Sequence, residues 1–301
     1  MSTSTPQLLS EPRCLWPAGA TLGEGTCWSE REQALYWVDI LEHRLHRWRL
    51  ADGERSTWAF DDTVSAVAER AHRPGLAITL RRGLALFDPD SGELQRLHEP
   101  EPDREGNRFN DGKCDAQGRF WAGSMDFGCK APTGALYRFD ANGHGTRAFD
   151  AGFAVTNGPT WSRDQRTMYF NDTVHQQIHA FDFDADSGTL SNQRPWLRFA
   201  KGDGYPDGMT TDADGRLWIA HWGAACVTCH DPDSAEELLR VKLPTDHITN
   251  MAFGGPGLCT LFITSARFEL SATQLAQQPL AGALFAVETN VTGRPAHRFA
   301  G

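Results

Sequence analysis

The sequence predicts an all-β fold, a six-bladed β-propeller with four antiparallel strands per blade. Three observations predict it. A turn-plus-strand unit recurs six times, the copies stand 41, 45, 47, 50 and 43 residues apart, and no long amphipathic helix interrupts them. Periods of this size mark repeat architectures in which each unit buries its apolar face only against its neighbours. Six units of four short strands fit blades around a common axis, where radial repetition protects the sheet edges. Two stacked β-sandwiches would use similar strands, but sandwiches do not repeat one hairpin six times.

The units run in order. The first, EGTCWSEREQALYWVDI, starts at Glu24 and the second, SAVAERAHRPGLAITL, at Ser65. NDGKCDAQGRFWAGSM follows from Asn110, NGPTWSRDQRTMYFND from Asn157, DGMTTDADGRLWIAHW from Asp207 and NMAFGGPGLCTLFITS from Asn250. Each passes from an alternating or apolar run through a turn, polar in most copies, to a β-branched and aromatic run, which is a hairpin signature. A third run follows every hairpin, as in RLHRWRL, GALYRFD and QIHAFDFD. The stretch SATQLAQQPLAG in the last unit is the one helix-like piece. The units use the chain from end to end, so one domain over 1–301 is expected, with a short N-terminal tail of about 1–10.

Composition narrows the partners. The 301 residues carry 39 acidic and 29 basic side chains, a formal charge of -10, which disfavours phosphate backbones and anionic membranes. No nucleic acid and no membrane partner is expected, and small molecules or cations are favoured. No apolar run approaches the roughly 20 residues of a membrane-crossing helix. The N-terminus has neither a basic segment nor a continuous apolar one, so a cytoplasmic location is expected. Seven cysteines suit a reducing compartment better than a disulfide framework. Cys226 and Cys229 form a CxxC within an expected strand, where this spacing points the thiols to opposite faces; they read as buried structural thiols. The sequons at Asn171 and Asn290 are incidental without a signal peptide.

Superposing the six units makes Glu24, Ser65, Asn110, Asn157, Asp207 and Asn250 equivalent. In a propeller the innermost strand of every blade lines the central channel, so these distant residues become neighbours. Taken singly, each Asp or Asn also fits a turn-closing role at a strand start. Taken together they form a polar ring with two carboxylates and three amides, costly in a low-dielectric site unless paired. A bound cation would remove that cost. An all-oxygen set suits Ca²⁺, Mg²⁺ or Mn²⁺, with Zn²⁺ also possible.

The segments LGEGTCW, RFNDGKCDAQGRFWAGSM, TNGPTWS and GYPDGM, in that order and spacing, resemble the SMP-30/gluconolactonase/regucalcin family over nearly the whole chain. The resemblance implies a six-bladed propeller with one divalent cation on its axis, Ca²⁺ being favoured, and hydrolysis of sugar lactones at the channel mouth. It implies Glu24, Asn157 and Asp207 as metal ligands, and Arg108 and Asn110 as substrate contacts. Where some animal members carry an acidic substrate contact after the segment matching AGSM, this chain reads DFGCK. His221 and Asn250 are channel-proximal positions that could tune which lactone fits, and His221 equally fits a packed histidine.

On this reading the metal acts as a Lewis acid on the lactone carbonyl, and Asp207 or a metal-bound water serves as base. Arg108 and Asn110 orient sugar hydroxyls, and an open-chain aldonic acid results. The substrate is an aldonolactone such as glucono-, xylono-, arabinono- or galactonolactone, and the protein is expected to be a monomer. No G-x-S-x-G elbow and no HExxH motif is present, which removes serine-hydrolase and zincin chemistry. The alternatives are a calcium-binding regucalcin-like protein without turnover, a promiscuous ester or organophosphate hydrolase, and a propeller scaffold for protein partners.

Overall fold

A computed structural model describes residues 5–301. It contains six antiparallel sheets of four strands each. Blades 1 to 5 are built from strands consecutive in the chain, with inner strands Gly23–Ser29, Val64–Glu69, Asn107–Cys114, Thr156–Trp161 and Tyr205–Thr211. Blade 6 differs. Its inner strand is Ile248–Gly254, followed by Thr260–Ser265 and Leu284–Glu288, and its outer strand is the N-terminal segment Arg13–Trp16. The two ends of the chain therefore share one sheet, and the ring is closed by backbone hydrogen bonds. Residues ahead of that strand also lie along blade 6, where Leu9 N donates to Glu288 O and Gln7 N to Asn290 Oδ1. Residues 1–4 of the expected tail lie outside the described residues.

The blades pack on one another through the apolar faces of their inner and middle strands. Trp121 and Trp218 are fully buried at corresponding places in blades 3 and 5, where blade 1 carries the equally buried Tyr36. The repeated turn has a specific job. Asp115 Oδ1 accepts the Gln117 and Arg119 amides, while its Oδ2 accepts Arg119 Nε at 2.6 Å and Trp121 Nε1 at 2.8 Å. Asp212 repeats the pattern with the Asp214 and Arg216 amides and with Trp218 Nε1 at 3.1 Å. DAxGR(F/L)W thus writes a carboxylate that closes the hairpin and holds the core tryptophan.

The expected helix is present as Ala272–Gln277, capped by Ser271 and Gln274 in a reciprocal box. Cys226 and Cys229 both lie buried in the strand Cys226–His230, and burial raises both thiol pKa values, that of Cys226 to about 11. They are inert core thiols. Asn171 is fully buried and cannot carry a glycan. No helix among the described residues is long and apolar enough to cross a membrane.

Candidate functional site

Each inner strand carries a register break at the same place: after Glu24, Val64, Phe109, Asn157, Pro206 and Ile248. A β-bulge inserts an extra residue and re-aims the side chains around it. Here it brings the equivalent polar positions towards the axis, all of them 5% exposed or less. Glycine is required next to Glu24 and Asp207. A Cβ on Gly208 would stand 2.4 Å from Asn250 Nδ2, and one on Gly25, at φ 58°, would stand 2.8 Å from Ser65 O.

A cavity of about 290 Å³ opens at this end of the axis, and Glu24, Asn157, Asp207, Arg108 and Asn110 all line it. The five residues singled out from the sequence are thus brought together. Asn250 lies on the axis instead, where its Nδ2 donates to Glu24 Oε2 at 3.1 Å and its Oδ1 accepts Thr26 Oγ1. His221 is packed: Nδ1 donates to Asp203 O at 2.7 Å, Nε2 faces Thr228 Oγ1, and the ring does not border the cavity. Ser65 is paired with Thr79 at 2.9 Å.

A hydrogen-bond chain fixes the orientation of the amides. Thr173 Oγ1 donates its one hydrogen to Pro206 O, so it must accept from Asn157 Nδ2 at 2.9 Å. That turns Asn157 Oδ1 inward, where it accepts Asn110 Nδ2 at 2.9 Å and keeps a second lone pair. Asn110 Nδ2 also donates to Thr156 O, and Asn110 Oδ1 accepts Arg108 Nη1 at 2.6 Å. Asn110 is therefore a bridge between Arg108 and Asn157, with both its amide hydrogens used inside the protein. Arg108 uses Nη1 on Phe109 O and Asn110. Asp126, in the DFGCK segment, accepts the Lys130 and Ala131 amides and so closes the loop that brings Cys129 to the cavity.

The charge of the site is unbalanced. Burial pushes Glu24 up to about 8, helped by the charge of Asp111, and raises Asp207 well above the carboxylate range, helped by Glu24 and Asp111. Asp111 is the residue the repeat did not single out. It stands 2% exposed, accepts the Gly158 amide at 3.0 Å, and is raised by burial against the opposing pull of Lys113. Lys113 is half-buried, which lowers its pKa, and its ammonium donates to Met209 O. The signal that could have found Asp111 is an aspartate where the aligned units have Gly25, Gly158 and Gly208.

Three buried carboxyl groups facing mainly one ammonium and one guanidinium make a site short of positive charge. Among the described residues no group of three or more His, Cys, Asp or Glu is arranged to hold a metal; any cation here depends on an amide oxygen as well. Glu24, Asp207 and Asn157 Oδ1 provide that mixed set, which as hard oxygen donors fits a divalent cation.

The comparisons with known proteins agree with this architecture. L-arabinolactonase of Azospirillum brasilense is 38% identical over 283 residues, 93% of each chain. The 6-deoxy-6-sulfogluconolactonase of Pseudomonas putida is 37% identical over 290 residues, 96% of this chain and 98% of that protein. The crystal structure of a calcium-binding protein, regucalcin, from Agrobacterium tumefaciens matches with a TM-score of 0.90 and 31% identity, covering 95% of this chain and 97% of that one. The family model described as the SMP-30/Gluconolactonase/LRE-like region matches residues 22–267. With the propeller, the axial carboxylates and this match over most of its length, the chain belongs to the SMP-30/gluconolactonase/LRE-like family.

Proposed function

We propose that this chain hydrolyses sugar lactones to open-chain aldonic acids at the axial cavity, with one divalent cation, Ca²⁺ first, held by Glu24, Asn157 and Asp207. The observation that carries the proposal is the convergence of two proton-raised carboxyl groups, an oriented amide oxygen and a buried guanidinium on one cavity floor. The lactonase relatives support the same reading.

When bound, the cation supplies Lewis-acid polarisation of the lactone carbonyl and offsets the charge of the ligands. Asp207 takes the proton of the attacking water at its carboxylate as the oxygen bonds to the carbonyl carbon. The ring C–O bond then breaks, and the departing alkoxide takes that proton from Asp207, giving the hydroxy acid and restoring the carboxylate. Arg108 directs its unused Nη2 towards a substrate oxygen, and Asn110 holds that guanidinium in place from behind. Thr173 keeps the Asn157 oxygen turned inward.

The test is a pH-stat assay over a panel of aldonolactones, after chelation and after adding back Ca²⁺, Mg²⁺, Mn²⁺ or Zn²⁺. Ring opening above the spontaneous rate that depends on the cation is the expected result. Calcium binding with no lactone opened under any cation would replace this reading with that of a calcium-binding protein.

A further inference from the structure

The walls of the cavity are unlike its floor. Leu22, Met125, Val155, Val174, Trp222 and Phe268 form them, and most of the large apolar side chains that stand exposed in this protein gather at the same mouth. Val174 is 44%, Tyr205 44%, Phe268 39% and Phe127 42% exposed; the first three line the cavity, and the Phe127 ring lies 5.9 Å from the Arg108 guanidinium. Exposed apolar groups clustered around a cleft mark a surface that meets a ligand.

The collar is held firmly. Trp222 is stacked on His247 at 3.9 Å with an interplanar angle of 14°, and His247 Nδ1 donates to Phe268 O at 2.9 Å. One imidazole thus supports both aromatic walls. The polar groups nearby are mostly engaged: both amide hydrogens of Asn110 and the single hydroxyl hydrogen of Thr173 have protein partners. Arg108 Nη2 and the Tyr205 hydroxyl remain as donors at this end, with the exposed Glu269 carboxylate as an acceptor at one side of the mouth. A fully hydroxylated aldonolactone brings several hydroxyls that lose water here, and each one left without a partner costs free energy. A methyl or alkyl group at the same place buries apolar surface instead.

We infer that the mouth selects lactones whose substituent beyond the ring is apolar, the deoxy-sugar and alkyl-substituted lactones, over their fully hydroxylated counterparts. Val174 and Phe268 are the specificity-determining residues. This rests on the lactonase reading of the same cavity and narrows its substrate class. Because a hydrophobic pocket discriminates weakly against an added hydroxyl, the expected preference is about 10- to 100-fold.

Matched pairs differing only in one hydroxyl test it: L-fuconolactone against L-galactonolactone and L-rhamnonolactone against L-mannonolactone, at equal ring size. The deoxy member of each pair is expected to show the higher kcat/KM by that factor. In Val174→Thr and Phe268→Gln, with melting curves showing that both variants fold, the ratio should fall towards one through loss on the deoxy substrate. Equal or faster hydrolysis of the hydroxylated members overturns the inference while leaving lactone hydrolysis intact. If neither pair is turned over, calorimetric titration of the same four lactones decides it separately. Binding of the deoxy members at least tenfold tighter supports the collar's selectivity, and equal binding ends it.

Discussion

Replacing Asp207 by Asn keeps the side chain's shape and removes one of the negative charges crowded on the axis. Burial and the neighbouring Glu24 and Asp111 raise the pKa of Asp207, so its ionised form is held there at a cost while no cation is bound. Asp207→Asn should therefore make the cation-free protein more stable, on the order of 1 kcal/mol, the usual sign for a functional site built against stability. The same substitution should abolish the rise in melting temperature on adding Ca²⁺ and lower kcat by about 10²- to 10⁴-fold. Differential scanning fluorimetry with and without Ca²⁺, beside the lactone assay, reads all three; an unstabilised variant that still responds to Ca²⁺ would remove Asp207 from the ligand set. Thr173 sits one step further out. Thr173→Val leaves Asn157 Nδ2 without its acceptor and frees the amide to turn, so cation affinity should fall about 10- to 100-fold, the usual loss when a supporting hydrogen bond is removed. Calorimetric titration of Ca²⁺ checks it.

Among the elements, the hairpin between the inner and second strands makes the clearest separation of structure from function. The Asp115 and Asp212 carboxylates are fully buried and each holds two turn amides, an arginine and a tryptophan. Removing either leaves the indole N–H of a fully buried tryptophan, Trp121 or Trp218, without its acceptor, which costs about 1–3 kcal/mol. Asp115→Ala and Asp212→Ala should each lower the unfolding free energy measured in urea by about that amount, with kcat/KM per folded molecule unchanged, because the turn lies at the end of the strand away from the cavity. This hairpin was legible in the sequence because its turn residues and apolar runs repeat, and the repeat also located Glu24, Asn157 and Asp207. Asp111 was not legible from alternation, and its one mark is an aspartate where the aligned units have Gly25, Gly158 and Gly208. Two adjacent residues reach the axis from one strand only through a bulge, and a bulge leaves no mark in a pattern of alternation. The roles of Asn110 and His221 were hidden for a related reason: hydrogen-bond partners such as Thr156, Thr228 and Asp203 come from other strands and loops, so a side chain's engagement cannot be read from its own segment.

For the whole molecule, closing a ring of six blades buries histidines whose rings do not border the cavity, and this sets how stability depends on pH. His46 packs on Trp37 at 4.3 Å and against the edge of Trp16, and its Nδ1 pairs with Thr57 Oγ1. His221 packs on Phe199 at 4.8 Å. Burial pushes each of them down to about 4, with nearby arginine charge adding to the effect. A histidine whose folded pKa lies below its unfolded value costs nothing above about pH 6.5, where both states are neutral. As the pH falls from there, the unfolded chain takes up a proton that the folded one refuses, and stability is lost progressively down to about pH 4. Each of the two sites should withdraw about 2 kcal/mol between pH 7 and pH 5. The raised carboxyl groups on the axis act in the opposite direction over the same range, so the absolute slope is a sum of both. The variants separate them. Urea unfolding of the parent, His46→Asn and His221→Gln at pH 7 and pH 5 should give a loss smaller by about 2 kcal/mol in each variant, since the carboxylate contribution cancels in the difference. Identical losses in parent and variants would mean that these rings take up protons in the folded propeller as readily as in the open chain, and that the blade interiors around them admit water.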